Sequence, residues 1–174
     1  MDEHQTLSPN ELAFIALTNE YCQVVEQAYD YDRSSLVDRL TKLLPRIYIT
    51  ALDLQPSAML LGNEIASSLE EEQYNAVSGA LAQLFAEEDV YLEVFHEDMK
   101  YSDTPIAVNI SENLADLYQE FYEMLSAVRD LTVDNQQEII SLCRDHFDSY
   151  WSTTLCNVLR AINNLRMNEN DYDY

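Results

Sequence analysis

Glycine and proline are scarce in this sequence, two of one and four of the other in 174 residues. With Gly62 and Gly79 isolated, no glycine-rich loop can wrap a phosphate, so nucleotide folds of the Rossmann or P-loop kind are excluded. Few helix breakers and turn formers also argue against an all-β sandwich or barrel. Basic residues are scarce too: nine Lys and Arg stand against 32 Asp and Glu, for a formal net charge of -23. Such a chain repels phosphate backbones and anionic lipid, which argues against direct nucleic-acid binding and membrane binding. The three cysteines, Cys22, Cys143 and Cys156, show no C-x-x-C spacing, which argues against a zinc ribbon or a disulfide framework. Each stands in an apolar helical pattern and reads as a reduced core residue. Met1 to Leu7 carry no basic region, and the apolar residues after them are interrupted by Asn10, Glu11, Asn19 and Glu20. Neither a signal peptide nor a membrane span is expected, and the localisation expected is cytoplasmic.

Helix formers dominate what is present, and hydrophobic residues make up 47 % of the chain, enough for a folded core. Ser8, Pro9 and Glu11 form a capping box ahead of Phe14, Leu17, Tyr21, Val24, Val25 and Ala28 at helical spacing. A second helix follows Asp32 with Leu36, Leu40, Leu43, Leu44, Ile47, Ala51 and Leu54. Pro45 inside it predicts a kink or break. Ser67 or Ser68 is the expected cap of a third helix, buried through Tyr74, Val77, Leu81, Leu84 and Phe85. Further helix is expected from Glu87 to Glu97, and a loop over 99–110. Ser111 then caps a helix carrying Leu114, Leu117, Tyr118, Phe121, Leu125, Val128 and Leu131. Asp134 with Gln137 opens the last helix, which bears Ile139, Leu142, His146, Tyr150, Leu155, Val158, Ile162 and Leu165. Short connections between long amphipathic helices give the fold class: all-α, a single-domain antiparallel helical bundle of about five to seven helices. The expected organisation is a flexible N-terminus over residues 1–7, the bundle over 8–167 and a flexible acidic tail over 168–174.

Known chemistries fit the sequence poorly. Glu93-Val94-Phe95-His96 places a carboxylate and an imidazole three residues apart, half of a di-iron motif. The chain has only three histidines, His4, His96 and His146, and Cys143 stands where the second glutamate belongs. Glu93, Glu97, Asp116, Glu120, Glu123, Asp145 and Asp148 do not reproduce the spacing of a magnesium-dependent helical pyrophosphohydrolase. Asp30-x-Asp32-x-Ser34 opens like a calcium loop but lacks its glycine and its final glutamate. Cys143 and His146 share an apolar stripe and read as core-edge residues rather than a nucleophile and base. Arg39, Lys42 and Arg46 line one face of the second helix, where they read as countercharge for acidic neighbours. Neither a catalytic residue, a metal site nor a cofactor is expected.

The region from Glu87 to Asp103 is the most site-like. It mixes carboxylates with Tyr91, Phe95 and Tyr101, a composition suited to an Arg- or Lys-rich protein surface. The binding residues expected there are Glu93, His96, Glu97, Asp98, Tyr101 and Asp103. The function expected is therefore a non-enzymatic module that docks a basic protein. The alternative is a metal-dependent hydrolase or oxidase using Glu93, His96 and Glu97 with carboxylates after Ser111. A two-sided apolar pattern in the last helix, around Trp151, leaves room for a homodimer.

Three segments, Tyr91 to Phe95, Glu97 to Ala107 and Ile110 to Tyr118, together resemble a bacterial family known as domain of unknown function 5063. The resemblance spans most of the chain. It implies a small, cytoplasmic, all-helical protein, carries no activity or catalytic residue, and draws attention to residues 91–118.

Overall fold

Six helices and one short hairpin make up the fold in a computed structural model that describes residues 6–57, 64–93 and 104–170. Helix α1 (Pro9–Glu26) begins at the expected capping box. The Ser8 hydroxyl accepts from the Glu11 N–H at 3.2 Å, and the Glu11 carboxylate accepts from the Ser8 N–H at 2.6 Å. Helix α2 (Arg33–Leu52) is capped by Asp32, which accepts from the Ser35 N–H at 2.9 Å and from its hydroxyl at 2.7 Å. Those bonds lower the Asp32 carboxyl below its ordinary value. The break expected at Pro45 does not occur, since α2 runs through it. Leu40, Leu43, Leu44 and Ile47 are buried on both sides of the proline, and their packing outweighs one missing backbone bond.

Helix α3 (Glu71–Phe85) starts later than expected, with Glu70 at the cap position and no side-chain capping bond. Ser67 does not cap it. Its hydroxyl donates instead to Glu123 at 2.9 Å, a contact between distant segments that a local reading misses. The helix expected over 87–97 is also corrected. A 3-10 turn (Ala86–Glu88), entered through Ala86 at φ 51°, leads into strand β1 (Val90–Glu93). It pairs antiparallel with β2 (Ile106–Asn109), so the expected loop 99–110 ends in a strand. Tyr91 lies opposite Val108 and Leu92 opposite Ala107.

Helix α4 (Ile110–Val128) is not capped by Ser111. Asp89, buried just ahead of β1, holds its first turn from outside. The Asp89 carboxylate accepts from the Ser111 N–H at 2.8 Å, the Ser111 hydroxyl at 2.7 Å and the Asn109 amide at 2.9 Å, and its backbone carbonyl accepts from the Ile110 N–H at 2.7 Å. Helix α5 (Val133–His146) passes through a π-turn (Phe147–Trp151) into α6 (Ser152–Asn170), so the single last helix expected is one rod with a wide turn inside it.

One core joins the helices. Helix α2 packs on α6, α3 on α4, and α1 on α2 and α4. At the centre, Trp151 lies 4.7 Å from Phe147, 5.1 Å from Phe121 and 6.4 Å from Phe14 between ring centroids. Trp151 is fully buried and its indole N–H donates to the Cys143 carbonyl at 3.1 Å, so this residue belongs to the core of the bundle. Cys22 and Cys143 are core residues, whereas Cys156 is exposed, which corrects the expectation for the third. The fold is all-α with a minor two-stranded sheet. Among the described residues, no helix is long and apolar enough to cross a membrane.

Candidate functional site

Of the six expected binding residues, Glu93 lies in the hairpin, and His96, Glu97, Asp98, Tyr101 and Asp103 lie outside the described residues. Glu93 is half-buried and accepts from the Asn157 amide on α6 at 2.5 Å. Its neighbours in sequence are engaged as well. Glu88 pairs with Arg33, and Asp89 holds the start of α4. Tyr91 turns inward, accepts from the Asn113 amide at 2.5 Å and is pushed up to about 12 by burial and by the nearby Glu93. Between β1 and α6 lies a groove of about 300 Å3, bounded by Leu92, Glu93, Asn157, Arg160, Ala161 and Asn164.

A second acidic-aromatic arrangement lies on the outer face of α4. Glu112, Asp116, Glu120 and Glu123 recur there at helical spacing, and α3 and the π-turn flank them. Tyr74 from α3 donates to one Asp116 oxygen at 2.7 Å, and Tyr150 from the π-turn donates to the other at 3.4 Å. Burial comes first among the causes that raise both phenols, and the Asp116 charge adds to it, so both keep their protons at neutral pH. Beside them His146 Nδ1 lies 3.2 Å from Glu120. Burial raises the Glu120 carboxyl above its ordinary value. The bond to His146 opposes that shift, and the charges of Glu123 and Asp116 add to it. A cavity of about 310 Å3 opens between α3 and α4, bounded by Leu69, Glu71, Tyr74, Asp116 and Gln119.

This face holds acceptors, phenols and one imidazole, which suits it to receive cationic side chains. The metal alternative names His96 and Glu97, which lie outside the described residues; among the described residues, no three His, Cys, Asp or Glu side chains gather as metal ligands. Cys143 is buried and its thiol pushed up by burial, while His146 is turned to Glu120, so the two do not form a reactive pair. Among the cations of α2, Arg33 reaches Glu88 beyond α3, whereas Lys42 and Arg39 act close to their own helix. Lys42 bonds Asp38 on its own helix, and Arg39 lies over the Tyr31 ring at 5.2 Å. Sequence reasoning noted Asp116, Glu120 and Glu123 but only as failed metal ligands. Their partners Tyr74 and Tyr150 stand 42 and 34 residues away from Asp116, and no local spacing signals them.

The sequence profile of a family described as Domain of unknown function (DUF5063) matches residues 5–168, and the chain belongs to that family. Among solved structures it is similar to the crystal structure of protein BF1032 from Bacteroides fragilis. The two are 28% identical, the match covers 91% of this chain and 93% of that one, and the TM-score is 0.78. No curated protein matches the chain.

Proposed function

We propose that this member of the DUF5063 family is a non-enzymatic interaction module that docks a basic protein through an acidic-aromatic surface. The observation that carries the reading is the Asp116 carboxylate, held by the hydroxyls of Tyr74 and Tyr150 among the carboxylates of α4. Two tyrosines from different elements fix one acidic side chain in place. Its orientation is set before a partner arrives, which lowers the ordering cost of binding. The surrounding negative potential favours encounter with a cationic surface, and the rings add apolar and cation-π contact. Tyr91 reaches the same helix at Asn113, three residues before Asp116, and Glu93 adds its charge at the hairpin.

The test compares capture from native lysate by wild type and by the Asp116→Asn, Glu120→Gln, Glu123→Gln triple variant, at low and at high salt. The expected result is a basic protein retained by wild type at low salt, released at high salt, and weakened at least tenfold by the triple variant. Capture that ignores both salt and the three substitutions would falsify electrostatic docking on α4.

A further inference from the structure

The cavity between α3 and α4 is walled by two side-chain pairs spaced i, i+3, one pair on each helix. Helix α3 contributes Glu71 and Tyr74, α4 contributes Asp116 and Gln119, and Leu69 closes one end. Neither helix contains a Lys or Arg. The flanking α5 and π-turn supply His146, which lies against Glu120, and Arg144, which pairs with Asp148 and lies over the Phe147 ring. Glu71 and Asp116 therefore stand in no ion pair among the described residues. The phenols of Tyr74 and Tyr150 occupy one acceptor site on each Asp116 oxygen. A carboxylate offers about four such sites, so one on each oxygen remains. The Gln119 amide donates to Glu123 at 3.1 Å, which leaves its carbonyl oxygen as a further acceptor one turn from Asp116. Leu69 is half-buried against the core and adds an apolar surface beside these oxygens. At about 310 Å3 the cavity stands at the lower limit of small-molecule pockets, about 300–1,000 Å3, a size suited to one inserted side chain.

We infer that the α3–α4 cavity receives one arginine side chain of the basic partner, its guanidinium on Asp116 and Gln119 and its stem along Leu69. The inference rests on the docking reading above and narrows it from a cationic surface to a single anchor residue. Arginine fits this lining better than lysine does. Its donors form a flat fork that meets both oxygens of a carboxylate and a neighbouring carbonyl together, where an ammonium meets them as a point charge. The Tyr74 hydroxyl is bonded to Asp116, so a cation on that carboxylate lies beside the Tyr74 ring, and a planar guanidinium stacks on such a ring. A guanidinium is also the more weakly hydrated of the two cations, so a half-buried site desolvates it at lower cost. Glu71 stands in the first turn of α3, where the helix dipole offsets part of its charge, so Asp116 is the principal anion.

The test titrates the isotope-labelled full chain at low salt with two acetylated, amidated pentapeptides, Gly-Gly-Arg-Gly-Gly and Gly-Gly-Lys-Gly-Gly, followed by backbone amide chemical shifts. Expected is saturable binding of the arginine peptide at about millimolar affinity, with shifts centred on Glu71, Tyr74, Asp116 and Gln119, and at least about fivefold weaker binding of the lysine peptide. Asp116→Asn weakens the arginine peptide about tenfold and Gln119→Leu about threefold. The second substitution leaves every charge in place, so it separates the placement of acceptors from the overall field, and matching melting curves show that both variants fold. An arginine peptide that does not bind, binds no tighter than the lysine peptide, or ignores both substitutions overturns the arginine anchor. Docking on α4 by charge stands in that case if the salt-dependent capture of a basic protein succeeds, and falls if that capture fails as well.

Discussion

Trp151 and Tyr150 are neighbours in sequence, and they end in opposite environments. Trp151 is sealed among Phe14, Phe121 and Phe147, while Tyr150 is about half exposed and reaches Asp116. The same helix serves both. Phe121 of α4 packs on the indole, and Asp116, little more than one turn earlier, meets the phenols. The inner side gains from buried area and ring geometry. The outer side gathers Glu112, Asp116, Glu120 and Glu123 on a protein of formal net charge -23, where repulsion works against folding. Tyr150 and Trp151 both belong to the π-turn, and adjacent residues of a helical turn point in different directions, here one to each side. Stability and binding potential are thus divided across one helix and one turn.

The comparison breaks most sharply at its inner side. Trp151→Ala removes three ring contacts and the donor to the Cys143 carbonyl, so a loss of about 3–5 kcal/mol is expected. Urea denaturation followed by far-ultraviolet circular dichroism measures it, since the chain has one tryptophan and the variant has none. A loss below about 1 kcal/mol would mean that the aromatic centre does not anchor the bundle. Next in size is Asp89→Ala, which leaves the buried Ser111 hydroxyl and two N–H groups of the α4 cap without their acceptor. About 2–3 kcal/mol is expected by the same measurement. Asp89 lies on neither side of α4. Its removal should weaken packing and docking together, because it holds the start of the helix that carries both.

The inner side was legible in the sequence and the outer side was not. Phe14, Leu17, Tyr21, Leu36, Leu40, Leu44, Leu114, Phe121, Leu155 and Val158 announce themselves by helical periodicity, and all are buried. The hairpin escaped because each strand is four residues long, too short for alternation to outweigh the helical composition around it. The caps at Ser67 and Ser111 were misplaced because their hydroxyls answer Glu123 and Asp89, which only tertiary structure brings near. The convergence of Tyr74 and Tyr150 on Asp116 is likewise a product of packing between three elements. Periodicity reports which face of a helix is wet, but it does not report which distant side chain meets it there.

A third change should raise stability. The fold raises the Glu120 carboxyl above its ordinary value of 4.5, so it favours the protonated form. The stability associated with that proton is fully present below pH 4.5 and is lost as pH climbs through the raised value. At neutral pH an ionised Glu120 opposes folding, despite its bond to His146. Glu120→Gln removes that charge, so the variant should unfold at higher urea than wild type at neutral pH. The two should converge in acid, below the ordinary carboxyl range. A variant less stable at neutral pH would show that the ionic bond to His146 outweighs burial of the carboxylate.

The smallest effect sharpens the comparison from the side of charge. Lys42 is exposed and, among the described residues, is bonded to Asp38 one turn away, so Lys42→Ala should alter stability by no more than about 0.5 kcal/mol. It changes the formal net charge from -23 to -24, the same single unit by which Asp116→Asn moves it the other way. If overall field alone drew a basic partner, the two substitutions would shift affinity by similar amounts in opposite directions. If the fixed carboxylate between Tyr74 and Tyr150 is what the partner meets, Asp116→Asn weakens binding several-fold while Lys42→Ala leaves it within twofold. Measuring both at two salt concentrations separates a diffuse attraction, which fades with ionic strength for either variant, from a local contact, which persists as a difference between them.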